Sequence, residues 1–303
     1  MASSKTKSFV KSFLHRTQNP VYYFGANTLM TVAEVAIRTA DISFVYMIMP
    51  VGSRNQERVD YRNFPDESAE KMRILTVDVL QEWKQLFTTA LELFPFVYNE
   101  IHVQMDSTPE HNKSVTDFIK SQKDSTDHCL MYGETKPDEN VKYFLNNVNV
   151  TDVLRLNVKL SDRFQLSTSD GLQKLDIHHA SWLNYEKFIR LNAVQLCING
   201  APLTNRELTN FLKSWMNSES HQHLRNLTTG VDDFVNFAGI FVEVPHKRVC
   251  VRRVLDVVTE YNAIVGAVGG FEIKRNDGAT GTIYLGENNN FIAFKMIVTN
   301  VPE

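Results

Sequence analysis

Between Gly171 and Val231, three short segments of Leu-x-x-Leu-x-Ile type are separated by two stretches with helical periodicity, and this spacing restricts the possible folds more than any other feature of the chain. The segments are Leu172-Gln173-Lys174-Leu175-Asp176-Ile177, Val194-Gln195-Leu196-Cys197-Ile198 and Leu224-Arg225-Asn226-Leu227. Strand alternation puts Leu175 and Ile177 on one face, as it does Leu196 and Ile198, and turns the polar neighbours to the other. With a helix in each gap, such strands pair side by side in parallel and each helix is a crossover.

The second gap holds the clearest helix. Thr204 is its expected N-cap, Glu207 three residues on completes a capping box, and Leu208, Phe211, Leu212 and Trp215 form one apolar stripe. Trp215 reads as core. The first gap repeats the logic with Ser181 as cap and Trp182, Tyr185, Phe188 and Ile189 as apolar positions. Upstream, strands are expected at Glu100 to Gln104, His128 to Tyr132 and Val153 to Leu160. Helices are expected at Ser114 to Gln122 and from Pro137 through Leu145. Equivalent strand positions recur every 19 to 31 residues or so, an irregular version of leucine-rich-repeat spacing. The expected fold is therefore an irregular leucine-rich-repeat-like parallel α/β solenoid. It would bury a common core and leave one sheet face open, where solenoids bind partners.

After Val231 the pattern reads as strands alone. Ile240 to Val244 would stop at Pro245, Phe271 to Lys274 would turn at Asn276-Asp277-Gly278 into Thr282 to Leu285, and Asn288 to Asn290 would turn into Phe291 to Val298. This C-terminal antiparallel β cap would close the end of the solenoid. Before the repeats, Val21, Tyr23, Phe44, Tyr46 and Ile48 belong to expected strands, with a turn at Gly52 to Asn55. Ile74 to Val77 then leads into a helix with Trp83, Leu86, Phe87, Ala90, Leu91 and Phe94 on one face, closed by Pro95.

Trp182, Val194-Gln195-Leu196, Leu203-Thr204-Asn205, Leu208, Phe211-Leu212-Lys213 and Trp215 together resemble the signature of the F-box-associated domain of the second type, found in nematodes. Gly269 to Gly278 is similar to a hairpin of that family, with Glu272 where Asp is usual and Thr299 where the family commonly ends on Trp. The N-terminal Ala2 to Ser12 looks like the end of an F-box. Residues 1–33 carry no acidic side chain, a composition that mitochondrial presequences share. The resemblance implies a non-catalytic protein-protein interaction module, like the substrate-recognition part of F-box adaptors of cullin-RING ubiquitin ligases. It implies a location in the cytoplasm or nucleus.

On that basis residues 1–14 are read as the remnant of an F-box end and 15–98 as an N-terminal α/β part. Residues 99–231 are the repeat-like domain, with its signature at 171–231, and 232–303 are the hairpin cap. The Pro- and Leu-rich part of an F-box that grips a Skp-type linker has no counterpart here, so the expectation is binding of a target protein without tight binding of the linker.

Net charge of -3 gives no basic footprint for nucleic acid. The longest apolar run, Ile42 to Val51, is too short to cross a bilayer. Cys129, Cys197 and Cys250 stand far apart, as reduced intracellular thiols do rather than a disulfide frame or zinc site. Cys197, opposite Leu196 and Ile198, is placed to pack under a helix.

No catalytic, cofactor or metal set emerges. His178-His179 and His221-Gln222-His223 are the histidine clusters; the second has metal-site spacing but only Glu219 beside it, and reads as a solvated loop. Asp232, Asp233 and Glu243 read as surface carboxylates. Gly266 to Gly270 lacks the Lys-Ser/Thr of a phosphate loop and leads into a strand. The other reading from the residues is an enzyme whose unmarked site lies at the strand ends of the α/β sheet.

Overall fold

The computed structural model describes residues 23–28, 33–38, 43–52, 70–93, 99–169, 171–231, 233–257, 269–288 and 291–300. The N-terminal stretch compared with an F-box end lies outside them, as do Val21, the expected turn at 53–55, Phe94, Pro95 and most of the Gly266 to Gly270 run. The chain divides into two compact units, residues 1–133 with 139–150, and residues 134–138 with 151–303. Both are mixed α/β.

The first unit contains β1 (Tyr23–Thr28), β2 (Ala33–Arg38), β3 (Ser43–Pro50), β4 (Glu70–Thr76), α1 (Val79–Leu93), β5 (Asn99–Gln104), α2 (Pro109–Gln122), β6 (Ser125–Gly133) and most of α3 (Asp138–Asn147). Its strands run in the order β6-β5-β1-β2-β3-β4. Pairing is parallel for β6 with β5, β5 with β1 and β3 with β4, and antiparallel for β1 with β2 and β2 with β3. Of the stripe expected of it, helix α1 buries Trp83, Leu86, Phe87 and Ala90, while Leu91 is half-buried. The Trp83 ring lies 5.4 Å from that of Phe118 on α2.

Helix α2 starts earlier than its apolar pattern indicated. Thr108 Oγ1 accepts the His111 N–H at 3.3 Å and Pro109 occupies the first turn, so a cap and a preset φ begin a turn that has no apolar face to betray it.

The second unit contains β7 (Asn149–Val158) from Thr151 on, β8 (Lys174–Ile177), α4 (Tyr185–Phe188), β9 (Gln195–Ile198), α5 (Asn205–Met216), β10 (Asn226–Gly230), a 3₁₀ turn (Phe237–Phe241), β11 (Lys247–Val249), α6 (Val251–Val257), β12 (Gly270–Lys274), β13 (Thr280–Asn288) and β14 (Phe291–Thr299). Strands β7, β8, β9 and β10 pair in parallel in sequence order. Strand β14 then pairs antiparallel to β10, followed by β13, β12 and β11. The segments around Leu156, Leu175 and Leu196 thus lie side by side in one parallel register.

That register lines up the core. Leu154, Leu175, Leu196, Leu227, Met296, Ile283 and Phe271 follow one another across the strands from β7 to β12, all buried. Over this face lie α4 and α5. Leu208, Phe211, Leu212 and Trp215 are fully buried, and the Phe211 and Phe188 rings meet at 5.3 Å edge to face. Thr204 and Glu207 form the capping box, with the Thr204 side chain accepting from Glu207 N and the Glu207 carboxylate accepting from Thr204 N. The β12–β13 hairpin is tied to the end of α5 by Arg275. Its guanidinium sits 5.1 Å over the Trp215 ring, donates to Gln222 O and forks onto Asp277, whose carboxyl it holds down at about 2.

Some local expectations are corrected. Residues Ile240 to Val244 are not a strand: Phe237 to Phe241 form a 3₁₀ turn, and Val251–Val257 is a helix, so the region after Val231 is not made of strands alone. A strand would bury Ile240, Val242 and Val244 together. Here Phe237, Ile240, Phe241 and Val244 are buried while Val242 is 82% exposed, the helical spacing. The antiparallel part therefore starts at Lys247. Helix α4 is capped by Asn184, whose Oδ1 accepts from Lys187 N, rather than by Ser181, because Trp182 and Leu183 are held in the core before the helix begins. Strand β10 starts at Asn226, two residues later than the Leu224 pattern implied. No helix among the described residues is long and apolar enough to cross a membrane.

Candidate partner-binding face

Because side chains alternate along a strand, the positions between the core leucines of β7 to β10 share the opposite face. Register sets them in rows. One row is Val153, Lys174, Gln195 and Asn226; the next is Arg155, Asp176, Cys197 and Thr228. Asn157, His178 and Asn199 follow at the strand ends. Most of these side chains are half-buried and Gln195 is exposed, in contrast to the sealed leucine face.

Asp176 is the electrostatic centre of this face. It accepts from Arg155 Nε at 3.2 Å, and His178 Nε2 lies 3.3 Å from its other oxygen. Burial of the carboxyl, 8% exposed, pulls its pKa up, but His178, Arg155 and Lys174 together outweigh that and hold it below the usual carboxylate range. A fixed anion flanked by two cationic or donor side chains, with the amides of Gln195 and Asn226 alongside, suits recognition of a polar peptide surface through directional hydrogen bonds. Cys197 is half-buried on this face beside Asp176 rather than sealed under a helix.

The residues singled out in the sequence are scattered. His221 is buried between the Phe188 and Phe211 rings, 5.2 Å from each, while His223 is exposed, so the His-x-His pair does not converge. His221 is thus not part of a solvated loop. His178 joins Asp176, and His179 is half-buried beyond the strand end. Asp233 is exposed and its Oδ1 accepts from Asn236 N, Glu243 pairs with Lys213, and Asp232 lies outside the described residues. Among the described residues no three His, Cys, Asp or Glu side chains are grouped to hold a metal ion.

The Arg155–Asp176–His178 group was missed in the sequence. Its signal was present, since Arg155, Asp176, Cys197 and Thr228 occupy equivalent outward positions once the strand motifs are aligned on their leucines.

No curated protein and no solved structure matches the chain. Residues 163–229, which carry β8, α4, β9, α5 and nearly all of β10, match the family model described as F-box associated, and this segment is similar to that domain family.

Proposed function

We propose that the chain is a protein-interaction module of the F-box-associated type, holding a target protein for a ubiquitin ligase by contact and without catalysis. In this reading β7 to β10 with their helices are stacked strand-helix repeats of the solenoid kind, capped by the antiparallel strands, and the work is done in the cytoplasm or nucleus. The observation that carries the proposal is that the F-box-associated match covers β8, β9 and nearly all of β10, three of the four strands that form the polar face centred on Asp176. One face of those strands is committed to the core, and the other holds ordered charge and amide groups.

A photo-crosslinking amino acid placed at exposed Gln195, with a control at exposed Asn210 on α5, tests it. The expected result is one protein crosslinked from Gln195 and not from Asn210, whose ubiquitylation falls when the chain is depleted. A crosslinked protein whose ubiquitylation is unaffected contradicts the ligase role, and equal labelling from both positions contradicts the choice of face.

A further inference from the structure

The strands of the second unit end on β11, and among the described residues β11 has a neighbour, β12, on one side only. A strand with an open side presents backbone N–H and C=O groups with which another extended chain can pair. From Pro245 to Val257, the stretch that forms and follows this edge, the sequence carries Lys247, Arg248, Arg252 and Arg253 against one acidic residue, Asp256, in a chain whose net charge is -3. All four basic side chains are exposed.

The edge is held from both ends. Before it, His246 Nδ1 lies 2.8 Å from Val244 O, and the His246 ring meets Phe271 at 5.2 Å and Phe241 at 5.6 Å, these two phenyl rings being stacked at 4.0 Å. After it, the chain turns into α6 so close to β12 that a Cβ at Gly269 would lie 2.1 Å from Val249 O. Val254 on α6 then packs with Val249 and Tyr284 in one buried cluster. Backbone fixed in this way already has the form that an added strand needs, so little ordering is lost on pairing.

The charges select what can pair there. Lys247 stands opposite Glu272 and Arg248 opposite Phe271, so the two basic side chains point to opposite faces of the sheet. Glu272 accepts from Arg253 Nε at 2.9 Å and its side chain is 16% exposed, so the acidic group on β12 is already engaged. A strand laid beside β11 sets one residue against Lys247 and the next against Arg248, whichever way it runs. Like charges directly opposite one another are destabilising. A second copy of β11 would bring Lys247 against Arg248, or each against its own counterpart, whereas two consecutive acidic residues match both positions. A nucleic acid would meet the charges but has no peptide backbone to pair with the edge.

We propose that β11 is a docking edge for an extended acidic segment of a partner protein, which adds to the sheet beside it and sets two consecutive Asp or Glu side chains against Lys247 and Arg248. The edge lies outside residues 163–229, which match the F-box-associated family, and does not rest on the function proposed above.

The test titrates the full isotope-labelled chain with N-acetyl-Thr-Val-Glu-Glu-Val-Thr-amide and with its isomer N-acetyl-Glu-Val-Thr-Thr-Val-Glu-amide, in which the acidic residues are separated. A third peptide is the first one N-methylated at both glutamates, which keeps the charge and removes the backbone donors, and oligothymidylate is the fourth probe. The first peptide is expected to shift the backbone amide resonances of Lys247, Arg248 and Val249 and to bind about tenfold or more tighter than its isomer or its N-methylated form. Arg248→Glu is expected to lose about tenfold in affinity for it with an unchanged melting temperature, since this side chain is exposed. Equal binding of the isomer or of the N-methylated peptide, tighter binding of oligothymidylate, or no shift at these three amides with the first peptide at millimolar concentration overturns the proposal.

Discussion

Thr229 lies in register between Ile198 and Phe294 in the leucine-face sheet, wholly buried, with a hydroxyl that has no hydrogen-bond partner. Stranding such a group costs about 1–3 kcal/mol, and valine has the same shape without it. Thr229→Val is therefore expected to stabilise the chain by about 1 kcal/mol, which a denaturant titration will read as a higher midpoint at unchanged slope. His221 is a second buried polar side chain with a measurable consequence. Burial between Phe188 and Phe211 pushes its pKa down to about 4, against a smaller opposing pull from the Phe188 backbone. As the pH falls through the ordinary histidine value of about 6.5, the unfolded chain takes up a proton that the folded chain refuses, so stability drops with acidification until about pH 4. The loss attributable to this group is about 3 kcal/mol over that window. His221 has a φ of 51°. Asparagine tolerates that conformation and does not titrate there, so His221→Asn should flatten the pH dependence of the unfolding free energy between pH 6.5 and 4 relative to the parent chain.

At the scale of elements, α5 is the unit on which the second half of the chain depends. Phe211 joins it to Phe188 of α4, Thr209 Oγ1 donates to Ile240 O of the 3₁₀ turn at 2.9 Å, and Trp215 joins it to Arg275 of the β12–β13 hairpin, while its cap closes its own first turn. Phe211→Ala is expected to cost about 3–5 kcal/mol through a cavity beneath Phe188, and Thr204→Ala about 1 kcal/mol through loss of the capping box, both read by thermal or chemical denaturation. This helix was legible in the sequence because cap, period and burial agree. So were β8 and β9; alternation of burial holds through β9, while in β8 the outward Asp176 is also buried. The segment from Phe237 to Val244 was not, since its apolar density fits either period and only burial of Phe241 with exposure of Val242 decides. The Asp176 group could have been found by aligning strands. The hydrogen bonds that Asn112 Nδ2 and Asn140 Nδ2 both donate to Met105 O could not, because they are created by the packing of α2 against α3, and residues 28 apart in sequence share no local pattern.

For the whole molecule, the size of the polar face decides what kind of partner it takes. Strands β8 and β9 are four residues long and β10 five. At about 3.3 Å per residue and about 4.8 Å between strands, the face of β7 to β10 covers a few hundred Å² at most. A stable interface between globular proteins buries about 800 Å² on each side, so this face alone fits a short extended segment of a partner better than a domain surface. On so small a contact each residue carries a large share of the binding, while none of the exposed ones carries the fold. Gln195→Arg, at the exposed position, should therefore weaken partner capture about tenfold or more, with the unfolding free energy changed by less than about 0.5 kcal/mol. Phe211→Ala should do the reverse at permissive temperature, lowering stability while leaving the affinity of the folded fraction unchanged. Affinity measured by titration and stability measured by denaturation on the same two variants separate the faces. If the arginine variant binds its partner as the parent does, the partner sits elsewhere on the chain.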